Sequence, residues 1–265
     1  MELNNGCLCC TLNEGLYEIL QDLYHKRNTF EELIIEATGV ADPRGLAAPF
    51  ITNPPVKKQF PLRQVICLID VSLIEQQLEE TEEAVHQITY SDILLVNKMD
   101  LVDGQTITRV RQLLNQLNPF AKVYLGAYDQ LPDLHNMSPR VKENLILQAD
   151  NDEVTVFEEM PPPNHKHTKG IKSISITFDK PFDLHTLQFR LKVFLSFQSK
   201  GLYRMKGILW IKKSDEKYYL QSVGKQISID KLKAWEPNKK RKSTIVMIGV
   251  GLQKSGLQKM FNQCI

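Results

Sequence analysis

Apolar residues recur along this chain in two distinct rhythms. From Thr11 to Lys26, Leu12, Leu16, Ile19, Leu20 and Leu23 share one face of a helix. Short apolar runs follow: Leu33-Ile34-Ile35, Val65 to Ile69 and Ile93 to Val96, with Ala121 to Leu125 broken only by Lys122. Each reads as a strand buried on both faces. Helical patterns lie between them. One covers Ser72 to His86, opened by Ser72 as N-cap with Glu75 three residues on, a capping box. Another covers Gln105 to Leu117. Buried strands alternating with amphipathic helices predict an α/β domain built on a parallel sheet.

The rhythm changes in the second half. Met160-Pro161-Pro162-Pro163-Asn164-His165-Lys166-His167 cannot continue a helix or a central strand and reads as a linker. Beyond it Ile174, Ile176 and Phe178 alternate with Ser173, Ser175 and Thr177, the pattern of a half-buried strand. Leu184 to Phe197 reads as a helix, and Gly207 to Lys212, Tyr218 to Ser222 and Thr244 to Gly249 read as strands. Ser255 to Asn262 closes as a helix with a Ser cap. Without a regular strand–helix–strand beat, these elements predict a smaller α+β domain with an antiparallel sheet. The expected division is residues 1–155, a Pro/His linker over 156–170, and 171–265.

Composition narrows the class. Of 265 residues, 42% are hydrophobic and 24% charged, which excludes disordered, collagenous and disulfide-framework chains. No stretch approaches the ~18 uninterrupted apolar residues of a membrane span, so no membrane partner is expected. Met1 to Cys10 lacks the basic and apolar regions of a signal peptide. Charge is uneven: residues 1–150 hold 12 basic and 21 acidic side chains, and residues 151–265 hold 21 and 10. Such a break supports two domains, and opposite charge helps to hold them together. The run Lys239-Lys240-Arg241-Lys242 has no aromatic interleaving and reads as a solvated loop, so nucleic acid is not the expected partner.

Three stretches carry candidate chemistry. Asn97-Lys98-Met99-Asp100 follows directly on an apolar strand. A carboxylate held there can accept hydrogen bonds from N1–H and the exocyclic amine of guanine. Adenine has an acceptor at N1 and no amine at C2, and would leave buried polar groups unpaired. A polar strand-end turn is the plainer alternative. Leu33 to Glu36 followed by Thr38-Gly39 places an acid where open α/β sheets bind ligands. There a carboxylate can work near Mg²⁺ and an attacking water, and a glycine amide can approach a γ-phosphate. Cys7-Leu8-Cys9-Cys10 holds three of the five cysteines in four residues. Thiolates on one tight turn make soft, incomplete ligation suited to transfer of Zn²⁺ or a related metal. That favours a reducing compartment, the cytoplasm. Cys67 and Cys264 read as ordinary buried residues, and His165 and His167 as linker residues.

Asn5-Gly6-Cys7-Leu8-Cys9-Cys10-Thr11, Glu36-Ala37-Thr38-Gly39-Val40-Ala41-Asp42-Pro43 and Asn97-Lys98-Met99-Asp100-Leu101 occur here in an order that resembles the CobW-like P-loop GTPases, relatives of UreG and HypB. Tyr203 to Trp210, and Ile245 to Gly249 running into Gly251-Leu252, resemble the CobW C-terminal domain. The resemblance covers nearly the whole chain. It implies a GTP-binding metallochaperone or metal-insertion protein that couples GTP hydrolysis to delivery of zinc, or a related metal, to a client metalloprotein. In that reading Glu36 is catalytic, Gly39, Asn97, Lys98 and Asp100 bind the nucleotide, Cys7, Cys9 and Cys10 hold metal, and Mg²⁺ accompanies GTP. The family's Gly-x-x-Gly-x-Gly-Lys-Thr phosphate loop does not occur in the 265 residues. The expectation is therefore a nucleotide-binding domain incomplete at its N-terminus and inactive alone. The alternative is a non-catalytic metal-binding scaffold that has lost the loop. A central strand missing from the sheet would leave open edges, which makes a homo-oligomer conceivable.

Overall fold

Ile93, Leu94, Leu95 and Val96 are all buried, and this continuous apolar run forms the middle of the first sheet. A computed structural model describes residues 11–39, 41–126, 168, 170–197, 201–237 and 239–265. In it, strands β1 (Ile66–Asp70), β2 (Ile93–Asn97) and β3 (Lys122–Leu125) pair in parallel in the order β1-β2-β3. Helix α1 (Thr11–His25) precedes them, followed by α2 (Pro43–Thr52) and α3 (Pro54–Gln59). Helices α4 (Ile74–Glu80) and α5 (Glu82–Tyr90) link β1 to β2, and α6 (Gly104–Leu117) links β2 to β3. Leu78, Val85, Ile88, Val110, Leu114 and Leu117 close one face of this sheet over Leu94 and Val96.

Four expectations need correction. Leu33 to Glu36 forms no strand, and Ile34 is 72% exposed. A strand exists only through a ladder partner. Strand β1 bonds to β2 along one edge, and no described strand lies along the other, where Leu68 is 64% exposed. The helix expected over Ser72 to His86 is two helices. Thr81 adopts an extended backbone and its Oγ1 accepts the Ala84 amide, so a new helix starts there, with Glu82 and Glu83 favoured at its positive end. Ser72 caps nothing; its amide and hydroxyl both donate to Asp70. Ser255 lies inside the last helix, whose cap position is Gln253 without a side-chain bond.

Helices α2 and α3 were not anticipated, although Asp42-Pro43 and Asn53-Pro54 carry their signal. Each pair is an N-cap acceptor followed by proline at the first helical turn, where its missing N–H costs nothing. Together with Leu16 and Leu20 of α1, Phe50 and Val56 form a small separate cluster.

The second sheet is antiparallel. Strands β4 (Ile171–Phe178), β5 (Leu202–Trp210), β6 (Glu216–Val223), β7 (Gln226–Ala234) and β8 (Ser243–Val250) lie in the order β4-β8-β5-β6-β7. Strand β7 was also missed; the two residues Gly224 and Lys225 join it to β6, with Gly224 at φ 54°. Helices α7 (Leu184–Phe197) and α8 (Lys254–Asn262) cover one face through Leu187, Leu191, Leu195 and Phe261. The opposite face, with Ile171, Ile208, Tyr219, Val246 and Ile248, packs into the same core as α5 and α6. The two sheets therefore share one apolar layer.

One buried polar group crosses that layer. Asp92, just before β2, accepts Arg204 Nη2 at 2.6 Å and Lys206 Nζ at 2.5 Å on a single oxygen. Its other oxygen takes the Val65 amide at 2.9 Å. Arg204 also donates to Ser91 O at 2.7 Å and lies over the Tyr90 ring. Burial alone would raise the Asp92 carboxyl, but Lys206 and Arg204 outweigh it and bring it from the ordinary 3.8 down to about 2. Its stabilising contribution is thus complete above the unfolded value of 3.8 and is lost as pH falls towards 2.

Replacing Asp92 with Ala removes the carboxylate that both cations share inside the core. Urea denaturation at neutral pH should show a loss of about 3–5 kcal/mol. The stability of the variant should change less than that of the parent between pH 4 and pH 2.

Candidate functional site

The C-terminal edge of the parallel sheet gathers Asp70, Asn97, Lys98 and the turn that follows. Asp70 and Asn97 are register partners at the last rung of β1 and β2, so their side chains leave the sheet side by side. The Asn97 amide oxygen is buried and has no hydrogen-bond partner among the described residues. A buried acceptor left unmade costs about 1–3 kcal/mol, which marks a place where a donor from elsewhere is wanted. Lys98 adopts a left-handed backbone, φ 60° and ψ 33°, a conformation that costs energy in a non-glycine residue. Its Nζ donates to Asp70 Oδ2 at 2.6 Å.

Asp70 is held from a second side by the Ser72 amide at 3.0 Å and hydroxyl at 2.6 Å. Its slight burial would raise the carboxyl, but the bonds from Lys98 and Ser72 prevail and hold it below the usual range. The hydrogen bond to Asp70 in turn raises the Lys98 ammonium. Past Lys98 the chain makes a 3₁₀ turn, Met99–Leu101, in which Asp100 is exposed. Asp103 then starts α6 by accepting the Thr106 amide at 2.7 Å. Asn97, Lys98 and Asp100 are thus on one turn, as expected, with Asp70 as a partner that sequence reasoning missed. The signal existed: an acid ends the apolar run Val65 to Ile69, just as Glu36 ends Leu33 to Ile35.

Glu36 and Gly39 are both exposed, and no hydrogen bond or ion pair between described residues joins them to the Asn97–Asp100 turn. Gly39 is tied to α5 instead, because Gln87 Nε2 donates to Gly39 O and to Ala41 O, each at 3.0 Å. A Cβ on Gly39 would meet open space, so packing does not demand glycine there. Cys7, Cys9 and Cys10 lie outside the described residues, as do His165 and His167. No group of three or more metal-ligating side chains occurs among the described residues. Cys67 and Cys264 are free, and burial pushes the Cys67 thiol up to about 12, which keeps it inert.

Residues 1–125 match the CobW/HypB/UreG nucleotide-binding domain, and residues 171–265 match the cobalamin synthesis protein cobW C-terminal domain. The chain belongs to the CobW family. Its relatives include the zinc chaperone YjiA of Escherichia coli (strain K12), 27% identical over 265 residues, which takes in 98% of this chain and 80% of YjiA. The zinc-regulated GTPase metalloprotein activator 1 of Schizosaccharomyces pombe is 32% identical over 133 residues, half of this chain and 32% of that protein. Among solved structures, a zinc-bound triple mutant of the YjiA GTPase superposes with a TM-score of 0.70 at 25% identity, over 99% of this chain and 78% of that one. The zinc-bound YjiA GTPase itself gives 0.68 at 24% identity. This CobW-family chain thus shares the fold of YjiA, a parallel sheet with helices followed by an antiparallel domain.

Whether the Asn97–Asp100 turn reads a base can be tested without phosphate contacts. Guanosine at millimolar concentration should shift the amide resonances of Asn97 to Leu101, and adenosine should not. Asp100→Asn should reduce that discrimination at least about tenfold, because an amide cannot accept both base hydrogens. Equal responses to the two nucleosides in the parent protein would remove this turn from nucleotide recognition.

Proposed function

We propose that this chain acts in a GTP-dependent zinc metallochaperone, which couples guanine-nucleotide binding and hydrolysis to transfer of Zn²⁺ to a client metalloprotein. The observation that carries this reading is the Asn97–Asp100 turn, with its orphaned Asn97 oxygen and its strained Lys98 anchored by Asp70, in a chain of the CobW family. Relatives named zinc chaperone and zinc-regulated GTPase metalloprotein activator support it.

Each residue then has a role set by its chemistry. The Asp100 carboxylate accepts the guanine N1–H and amine, and the Asn97 oxygen accepts a further donor on the nucleotide side. The Lys98 stem lies along the base plane while Asp70 fixes its ammonium. Glu36, exposed beside Gly39, is the carboxylate available to Mg²⁺ or to the attacking water. Mg²⁺ when bound supplies charge neutralisation at the phosphates. Zinc is cargo rather than a resident cofactor, and Cys7, Cys9 and Cys10 are its thiolate ligands. Two or three sulfurs leave coordination positions for a client's ligands, so the metal can pass on by exchange. Thiols kept reduced place the protein in the cytoplasm. No helix among the described residues is long and apolar enough to cross a membrane.

Titration with Co²⁺, a spectroscopic stand-in for Zn²⁺, tests the metal half. Intense near-ultraviolet thiolate-to-metal absorption is expected, and the Cys9→Ser, Cys10→Ser double variant should lose most of it. Because thiols must deprotonate to bind, affinity should fall as pH drops below neutrality. The coupling half is tested in a protein restored with the phosphate loop, by measuring metal affinity with and without a non-hydrolysable GTP analogue. A change of about 5–150-fold is expected, with the same factor for the analogue's affinity in the presence of metal. Metal binding that survives alongside complete indifference to guanine nucleotides would favour the scaffold reading instead.

A further inference from the structure

The loop carrying Glu36 and Gly39 is not free to take any position. Three contacts fix it, and all converge on two consecutive residues of α5. Gln87 holds the carbonyls of Gly39 and Ala41, each at 3.0 Å. The Ala41 amide donates to Thr38 O at 2.9 Å. Asp42 ends the loop as the N-cap of α2: it accepts the Arg44 amide and, on both oxygens, the Arg44 guanidinium. Arg44 Nη2 then reaches His86 Nδ1 at 3.0 Å. His86 and Gln87 therefore hold the C-terminal part of the loop, at Gly39, Ala41 and, through Arg44, Asp42.

The same dipeptide faces the second sheet. The His86 ring meets the Tyr203 ring edge to face, centroids 5.3 Å apart and planes at 69°. Tyr203 owes this position to a β-bulge. Strand β5 pairs Leu202 with Gly249 and Arg204 with Ile248, which leaves Tyr203 as the extra residue between them. A bulge re-aims a side chain. Here it lets two consecutive residues serve the shared layer: Tyr203 at His86, Arg204 at Asp92. A regular strand would send one of them to the opposite face. Burial and the adjacent Arg44 guanidinium both depress the His86 pKa, so the ring is neutral at pH 7, and a neutral ring packs beside Arg44 and Tyr203 without repulsion.

We propose that Tyr203, acting through His86 and Gln87 of α5, is a positioning residue for the Glu36–Asp42 loop, so that the C-terminal sheet and the loop expected to face the nucleotide phosphates move as one coupled unit. The consequence for function rests on the reading that this loop meets the nucleotide. The coupling itself does not. A client bound to the C-terminal domain would then act on the loop through the β5 bulge, and a nucleotide that moved the loop would act on the C-terminal domain by the same amount.

Amide hydrogen exchange in the full chain, with no nucleotide or metal added, tests the coupling apart from the proposed function. The Ala41 and Arg44 amides are both hydrogen-bonded and report the loop directly. Tyr203→Ala should speed their exchange about tenfold, and Tyr203→Phe, which keeps the ring, should restore the parent rate. His86→Ala should also speed exchange. Adding Tyr203→Ala to His86→Ala should then have little further effect, because Tyr203 reaches the loop through the His86 ring. Asp230→Ala serves as control: it breaks a different contact between the halves, that of Asp230 with Lys57, and should leave these amides unchanged. If Tyr203→Ala does not fold, Tyr203→Leu keeps the volume without the ring and takes its place. Parent-like exchange in a folded Tyr203 variant overturns the proposal. Additive effects in the double variant, or equal acceleration by Asp230→Ala, overturn it as well.

Discussion

The Asp92 carboxylate sets the relation between the two sheets. An acid buried at the start of β2 is tolerated only because two cations from β5 meet it there. Those cations occupy alternate positions, Arg204 and Lys206, so they also fix which face of β5 looks at the first sheet. From that anchor β2 runs five residues, about 17 Å, to the turn where Lys98 and Asp100 stand. The Asn97–Asp100 turn and the contact with the C-terminal sheet thus lie at the two ends of one short strand. The pairing at Asp92 follows the uneven charge of the two halves, an acid of the first meeting cations of the second. Another pair among the described residues runs the other way, Lys57 of the acidic half against Asp230 of the basic half.

What was legible in the sequence was local. The apolar runs that became β1, β2 and β3 mark strands, although only β2 is buried along its apolar run, and the alternation in Ile171 to Phe178 announces burial on one face. Leu33-Ile34-Ile35 carries the same mark and is not a strand, because pairing is a property of the neighbour as well as of the run. Helices α2 and α3 were hidden by their prolines, which signal a break or a beginning depending on the residue before them. Strand β7 carries Asp230, Lys231 and Lys233 on the edge of its sheet, where charge is favoured for reasons unconnected with burial. The break at Thr81 turns on one hydroxyl that prefers capping to continuing a helix.

The same division holds at the site. Asn97, Lys98 and Asp100 are contiguous, so their chemistry could be read as a motif. Asp70 reaches Lys98 from 28 residues away, and Gln87 reaches Gly39 from 48. Neither link has any trace in sequence spacing, because each is made by the packing of elements that meet only when the sheet forms. The bulge at Tyr203 is less visible still: it is a mismatch between two strands and belongs to neither alone.

The shared apolar layer also bears on how the molecule is made. Ile69, Val85 and Val110 complete their core against Val246 and Ile248, on the last strand of the chain. Contacts so distant in sequence close only after long loops have been paid for in entropy. During synthesis the first half emerges with the outer faces of α5 and α6 uncovered, and these faces stay wet until β8 has left the ribosome. A parallel sheet with one open edge and an unfinished layer must wait for its own C-terminus, and the interval before that strand arrives is when the chain is most exposed to wrong partners.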